Sequence, residues 1–332
     1  MDFTELIDLA AENLGGAVLY ANDDFFAPKE NLLKHSAPVF IEGKYTDLGK
    51  WMDGWETRRR RSPRLHETFD WCVIRLGLAG IIHGINVDTS FFRGNFPSHC
   101  SLEVCAVDGQ PDVAELSRAQ WTEVLPQAEL AGDAHNHFTI NYAQRVTHLR
   151  LKIYPDGGVA RLRVYGAVLP DWAALRQRDS ELDLAAAEHG GTVITASDMF
   201  FGHRHNLIMP GRALDMSDGW ETKRRRGPGY DWCVLQLGTA GTISRVEVDT
   251  GRFKGNYPES CSLEVAYATG GTPLETLAWR EILPDTRLQP HTRHYFSDEL
   301  ADCGPATHAR FNIFPDGGVS RLRLFGRIEK IV

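Results

Sequence analysis

The chain has 332 residues, 42% of them hydrophobic, and a formal net charge of −8. That length is enough for two domains of ordinary size, each with its own core. The acidic balance argues against general nucleic-acid binding, and no run approaches the ~18 apolar residues of a membrane-spanning helix.

The N-terminus has no basic stretch followed by an apolar one, so no signal peptide is expected. The six cysteines form no Cys-x-x-Cys pair and point to free thiols buried in a reducing cytosol. The ending Glu329-Lys-Ile-Val332 is not of the peroxisomal Ser-Lys-Leu type, which leaves the cytoplasm as the expected location. Neither a nucleic acid nor a membrane is expected as a partner.

In chain order, Thr4–Leu14 reads as a short helix, capped by Asp2 or Thr4, with Leu6, Ile7 and Leu9 as its apolar stripe. Gly15-Gly16 ends it, and a similar segment, Ser180–Gly191, returns later. A strand follows each: Ala17–Ala21 and Thr192–Ala196. Next come polar loops, Asn22–Asn31 and Ser197–Asn206. The interval from Asn31 to Asp53 is about ten residues longer than that from Asn206 to Asp218, an insertion around Phe40–Trp51.

Then Asp53-Gly-Trp-Glu-Thr-Arg-Arg-Arg-Arg61 is repeated as Asp218-Gly-Trp-Glu-Thr-Lys-Arg-Arg-Arg226. A basic run behind such a turn, occurring twice, marks a tandem duplication that keeps a charged loop a plain core has no use for. Asp70–Gly77 matches Asp231–Gly238 with the period of two of a half-buried strand. Ile85–Thr89, Arg93–Pro97, Ser101–Val104 and Tyr154–Gly166 each have a counterpart in the second half. Short strands punctuated by Gly, Pro, Asp and Asn turns predict an all-β chain of two tandem β-sandwiches, residues 1–169 and 170–332, each with a short N-terminal helix.

The order of these signals resembles the galactose-binding-like jelly roll, whose members bind ligands through loops at one end. The duplicated pattern resembles the allantoicase family over residues 16–327. The motifs that carry this are Phe25–Leu32, Gly43–Thr46, Gly49–Glu56, Asp70–Cys72, Val87–Thr89, Gly94–Pro97 and Pro155–Gly158. The resemblance implies hydrolysis of allantoate to ureidoglycolate and urea, and a homo-oligomer.

Allantoate is a small carboxylate carrying two ureido groups on one carbon. Such chemistry needs guanidinium groups for the carboxylate, hydrogen-bonding partners for planar ureas, and an acid and a base for the departing urea and the attacking water. Asp53, Glu56, Asp24 and His137 are the candidate catalytic residues. Lys29, Asn31, Trp55, Arg58, Arg59, Asp218, Trp220, Glu221, Lys223 and Arg224 are the candidate substrate-binding residues. The blander reading makes the Arg runs solvated, the tryptophans plugs of the sandwich, and Asp53-Gly54 turn chemistry. The fuller first-copy loops favour one principal site in the first copy.

His135 and His137 sit two apart and would share one face of a strand, but no pair aligns with another between the copies. No metal ligand is assigned and no cofactor is firmly implied, with room left for a loosely bound divalent ion. An inactive family member or a carbohydrate-binding tandem sandwich is the alternative.

Overall fold

A computed structural model describes residues 2–61, 68–177, 180–268 and 272–329; the final Lys330–Val332 lies outside them. The chain divides into two compact units, Met1–Leu169 and Pro170–Val332. Each is an all-β jelly-roll sandwich with few helical turns.

One 19-residue strand, Asp70–Asp88, organises the first unit. Its first half pairs with Ala17–Ala21 on one side and Val146–Tyr154 on the other. Val146–Tyr154 continues to His99–Cys105, which pairs with Thr122–Glu129. Its second half leaves that layer and pairs with Arg161–Val168 and His135–Thr139. The two layers therefore share a strand. Residues such as Ile74, Ile85, Leu102, Leu151 and Leu162 project between them and are fully buried. The second unit repeats the plan around Asp231–Asp249, flanked by Ala306–Phe314 and Arg321–Ile328.

The strands expected at Asp70–Gly77 and Ile85–Thr89 are thus one strand. Gly77, Gly80 and Gly84 do not turn the chain; they are close approaches. A Cβ on Gly80 would lie 2.3 Å from the Ala167 carbonyl, and one on Gly84 would lie 2.5 Å from the Phe3 ring.

The expected N-terminal helix is also different. Phe3–Glu5 and Glu12–Leu14 are single 3-10 turns, and Ile7–Asp8 between them is a short strand paired with Gly166 and Tyr165. The Asp8 carboxylate accepts from the Val164 N–H at 2.8 Å and the Ala10 N–H at 3.2 Å. That side-chain bonding to backbone competes with a helical turn and wins. Leu182–Asp183 and Ala187–His189 repeat the arrangement, with Asp183 accepting from Leu324.

Five of the six cysteines are buried, and all are free. Burial drives the Cys100 and Cys261 thiols up to about 12, so they stay protonated and inert. Among the described residues no helix is long and apolar enough to cross a membrane.

Candidate functional site

The Asp53–Arg61 segment crosses one end of the first sandwich. Its strand Trp55–Glu56 pairs with Gly158–Val159, just before the last strand. The second unit pairs Trp220–Glu221 with Gly318–Val319. A Cβ on Gly158 would lie 1.9 Å from the Phe92 ring, so glycine lets the final turn lie against the core and close under the loop.

Asp53 is the anchor of this loop. Its carboxylate accepts from Arg161 at 2.7 Å, from the Val39 N–H at 3.0 Å and from Lys34 at 3.2 Å. Arg161 is only 1% exposed and also donates to the carbonyls of Asp53, Ala160 and Ser36. Burial pushes the Asp53 carboxyl up, but the bonds from Arg161, Val39 and Lys34 outweigh it and hold it below its ordinary value. Asp218 and Arg321 repeat the pair at 3.1 Å. Met209 stands there where the first unit has Lys34, and Asp218 Oδ1 has no partner among the described residues.

Trp55 and Trp220 are fully buried and donate their indole N–H to the carbonyls of Asp23 and Asp198, each at 2.8 Å. They plug the sandwich and offer no face to a ligand. Asn31 is buried and donates to the Gly54 carbonyl, as Asn206 does to Gly219. These residues build the loop and do not face its opening.

Beyond the tryptophan the side chains alternate. Arg58 turns to Asp23, with Nε–Oδ2 at 2.6 Å, and lies over the Phe25 ring. Lys223 likewise faces Asp198 and the Phe200 ring. Arg60 is bound to the buried Asp70, and its N–H donates to Asp156 at 2.8 Å; Arg225 does the same with Asp231 and Asp316. Arg59, Arg61, Arg224 and Arg226 are exposed and pair with no carboxylate among the described residues.

Arg224 and Arg226 line a concavity of about 910 Å³ in the second unit, together with Glu221, Asn256, Tyr257, Arg287 and Gln289. At its base Asn256 donates to Glu221 Oε1 at 2.5 Å. The first unit has the same pair, Asn95 to Glu56 Oε1 at 2.7 Å. Burial raises the Glu56 carboxyl above its ordinary value, with the Asn95 bond opposing. A half-buried glutamate held by an amide, beside unpaired guanidiniums, can bind a carboxylate and move a proton.

Three candidates lie elsewhere. Asp24 is exposed at the loop tip, 3.5 Å from Lys29 Nζ, and Lys29 itself bonds Glu30 at 2.6 Å. His137 does share a strand face with His135, ring centroids 6.2 Å apart, but in a separate hollow with Phe3, Asn86 and Tyr165. Among the described residues no group of three or more His, Cys, Asp or Glu is placed to hold a metal ion.

The arrangement recurs in both units, and a family model described as the allantoicase repeat matches both, at residues 7–169 and 182–329. The chain belongs to the allantoicase family. A probable allantoicase of Pseudomonas fluorescens strain Pf-5 is 50% identical over 333 residues, spanning 99% of this chain and 98% of its own. Probable allantoicase 1 of Burkholderia mallei is 48% identical over 328 residues, spanning 98% and 95%. The crystal structure of allantoicase from Saccharomyces cerevisiae superposes with a TM-score of 0.80 at 35% identity, covering 97% of this chain and 93% of that one.

The sequence shows Asn95 and Asn256 only as part of a repeated segment, and nothing local in it pairs Arg161 and Arg321 with the aspartates. The signal was available: Gly-Asn-Phe/Tyr-Pro and Arg-Leu-Arg recur in both halves of the allantoicase pattern, and each carries a polar side chain a turn or strand does not require.

Proposed function

We propose that this chain hydrolyses allantoate to ureidoglycolate and urea at the open face of the Asp-Gly-Trp-Glu-Thr loops, with the second unit's concavity as the better-formed site. Its family is that of allantoicases, hydrolases that act in purine degradation. The observation that carries the residue assignment is the Asn-held glutamate beside unpaired arginines, Glu221 with Asn256, Arg224 and Arg226.

In this reading Arg224 and Arg226 hold the substrate carboxylate, a role guanidinium forks fill bidentately. Glu221, protonated, gives its proton to the ureido nitrogen as the C–N bond breaks. As carboxylate it then takes a proton from the water that adds to the same carbon. Asn256 fixes the glutamate so that both steps use one geometry. Glu56, Asn95, Arg59 and Arg61 are the matching set of the first unit. There Glu129 and Ala131 occupy the places of Arg287 and Gln289, so that set is the less basic one. This reverses the weight that loop length alone gave to the first copy.

Glu221→Gln, Glu56→Gln and Arg224→Gln, assayed for urea and ureidoglycolate release, test the assignment. Loss of one proton-transfer group costs about 10²–10⁴ in rate. The expected result is a kcat loss of that order in Glu221→Gln, a smaller one in Glu56→Gln and a raised KM in Arg224→Gln. Full activity in Glu221→Gln would remove it from the chemistry. A chelator arm in the same assay checks for a loosely held divalent ion, with turnover expected to persist.

The cytoplasm is the proposed location. The chain is also proposed to assemble as a homo-oligomer, because the loop tips carry exposed Phe25, Phe26, Phe200, Phe201, Leu214 and Tyr45.

A further inference from the structure

The second unit has another cleft, of about 270 Å³, that shares no lining residue with the concavity around Glu221. Three arginines line it, Arg212, Arg252 and Arg293, with His291, against one carboxylate, Asp249. Arg212 and Arg293 pair with no carboxylate among the described residues. Arg252 donates Nε–H to the Ala213 carbonyl at 3.2 Å. Asp249 is buried and accepts from the Gly251 N–H at 2.7 Å.

The first unit shows what the same place looks like when it is structural. Phe91 stands where Arg252 does, Asp133 where His291 does, and His135 where Arg293 does. Both copies hold the first two of these positions at positive φ, 69° and 52° against 72° and 51°. In the first unit the Phe91 N–H donates to Asp133 Oδ1 at 2.7 Å, and Phe40 from the inserted hairpin region stacks on the Phe91 ring at 5.8 Å. In the second unit the Arg252 N–H donates to His291 Nδ1 at 2.9 Å. That bond makes Nδ1 the acceptor, so the His291 proton sits on Nε2. The insertion is missing, and Arg212 and Ala213 line the place where Phe40 stacks in the first unit. One copy covers this place with an aromatic stack; the other leaves it open and lines it with cations.

The backbone strain is common to both copies and belongs to the fold. The charge is not common, and it is concentrated in a chain whose net charge is −8. Arg252 acts on the Asp215 carboxylate, but Arg212 and Arg293 are without carboxylate partners and repel one another unless an anion joins them. We infer that this cleft is a binding site for a compact doubly charged oxyanion, distinct from the site of allantoate hydrolysis. Inorganic phosphate and a short dicarboxylate share that chemistry and fit a cleft of this size.

Isothermal titration calorimetry of the full chain with inorganic phosphate, and separately with oxalate, at constant ionic strength, tests this. The Arg59→Gln/Arg61→Gln/Arg224→Gln/Arg226→Gln variant removes anion binding at both sets of hydrolytic arginines and is expected to keep one phosphate or oxalate site. Arg212→Gln/Arg293→Gln, both changes on exposed side chains, is expected to weaken that site at least about tenfold. Arg252→Phe, which restores the first unit's residue, is expected to do the same. The stronger of the two anions tells whether a tetrahedral or a planar dianion fits. Absence of any binding in the quadruple variant, or unchanged affinity when Arg212→Gln/Arg293→Gln is added to it, overturns the inference. Neither result bears on Glu221, so this site and the hydrolytic assignment fail separately.

Discussion

Asp53 shows how a residue type that suits catalysis can be spent on structure. Its carboxylate and the Arg161 guanidinium are both almost wholly buried, and each is saturated by further bonds. Removing one member of such a pair leaves a buried charge without a partner and costs about 3–5 kcal/mol, whereas a partly exposed partner contributes about 1 kcal/mol or less. Arg161→Met is therefore expected to lower the urea midpoint steeply, and Lys34→Met only slightly. Equal effects would mean that the exposed ammonium holds the loop as firmly as the buried guanidinium. The aspartate was legible in the sequence as part of a repeated motif, but its role was not. The partner that decides it lies 108 residues further on, beyond the reach of any local pattern. Glu56 was legible within the same repeated motif, but the Asn95 amide that holds its carboxyl lies 39 residues further on.

At the scale of elements, period-two alternation and Gly/Asp/Pro punctuation marked most strands, because a half-buried strand writes its two faces directly into the chain. Where an element departs from its local pattern, a distant backbone has taken over. The leading segment has helical spacing at Leu6, Ile7 and Leu9, yet Asp8 bonds to a strand 156 residues away. Glycines inside the long strands look like turns and are contact points. Gly238 is the tightest of these: a Cβ there would lie 1.7 Å from the His189 carbonyl oxygen, a backbone atom that cannot swing aside. Gly238→Ala is expected to cost about 1–3 kcal/mol, as overpacking does. Gly255→Ala, with nothing within 4 Å of its Cβ, is expected to leave the midpoint unchanged. A midpoint for Gly238→Ala that matches Gly255→Ala would contradict the close approach.

For the whole molecule, duplication has produced two units with one plan and different surfaces. The first keeps the inserted hairpin Tyr45–Thr46 and Gly49–Lys50, with Lys50 over Phe40 and Lys44 over Trp51. The second has a shorter loop, a concavity of mixed charge around Glu221, a smaller basic cleft, and exposed Phe200 and Phe201. Apolar rings at both loop tips are costly in water, and a closed assembly of identical copies would cover them. Light scattering during gel filtration is expected to give a multiple of the 37.2 kDa chain, and Phe200→Ser/Phe201→Ser is expected to shift it to a smaller species. A wild-type mass of 37.2 kDa would refute the assembly.

The bond between Asp53 and Arg161 also sets an order of events during synthesis. A ribosome releases the loop long before it releases the strand that fastens it, and domains complete themselves as units from the N-terminus onward. The growing first half therefore carries an unfastened loop until Arg161 emerges, and Asp218 waits in the same way for Arg321. Each half is locked by its own last strand, so the first can be finished while the second is still being translated.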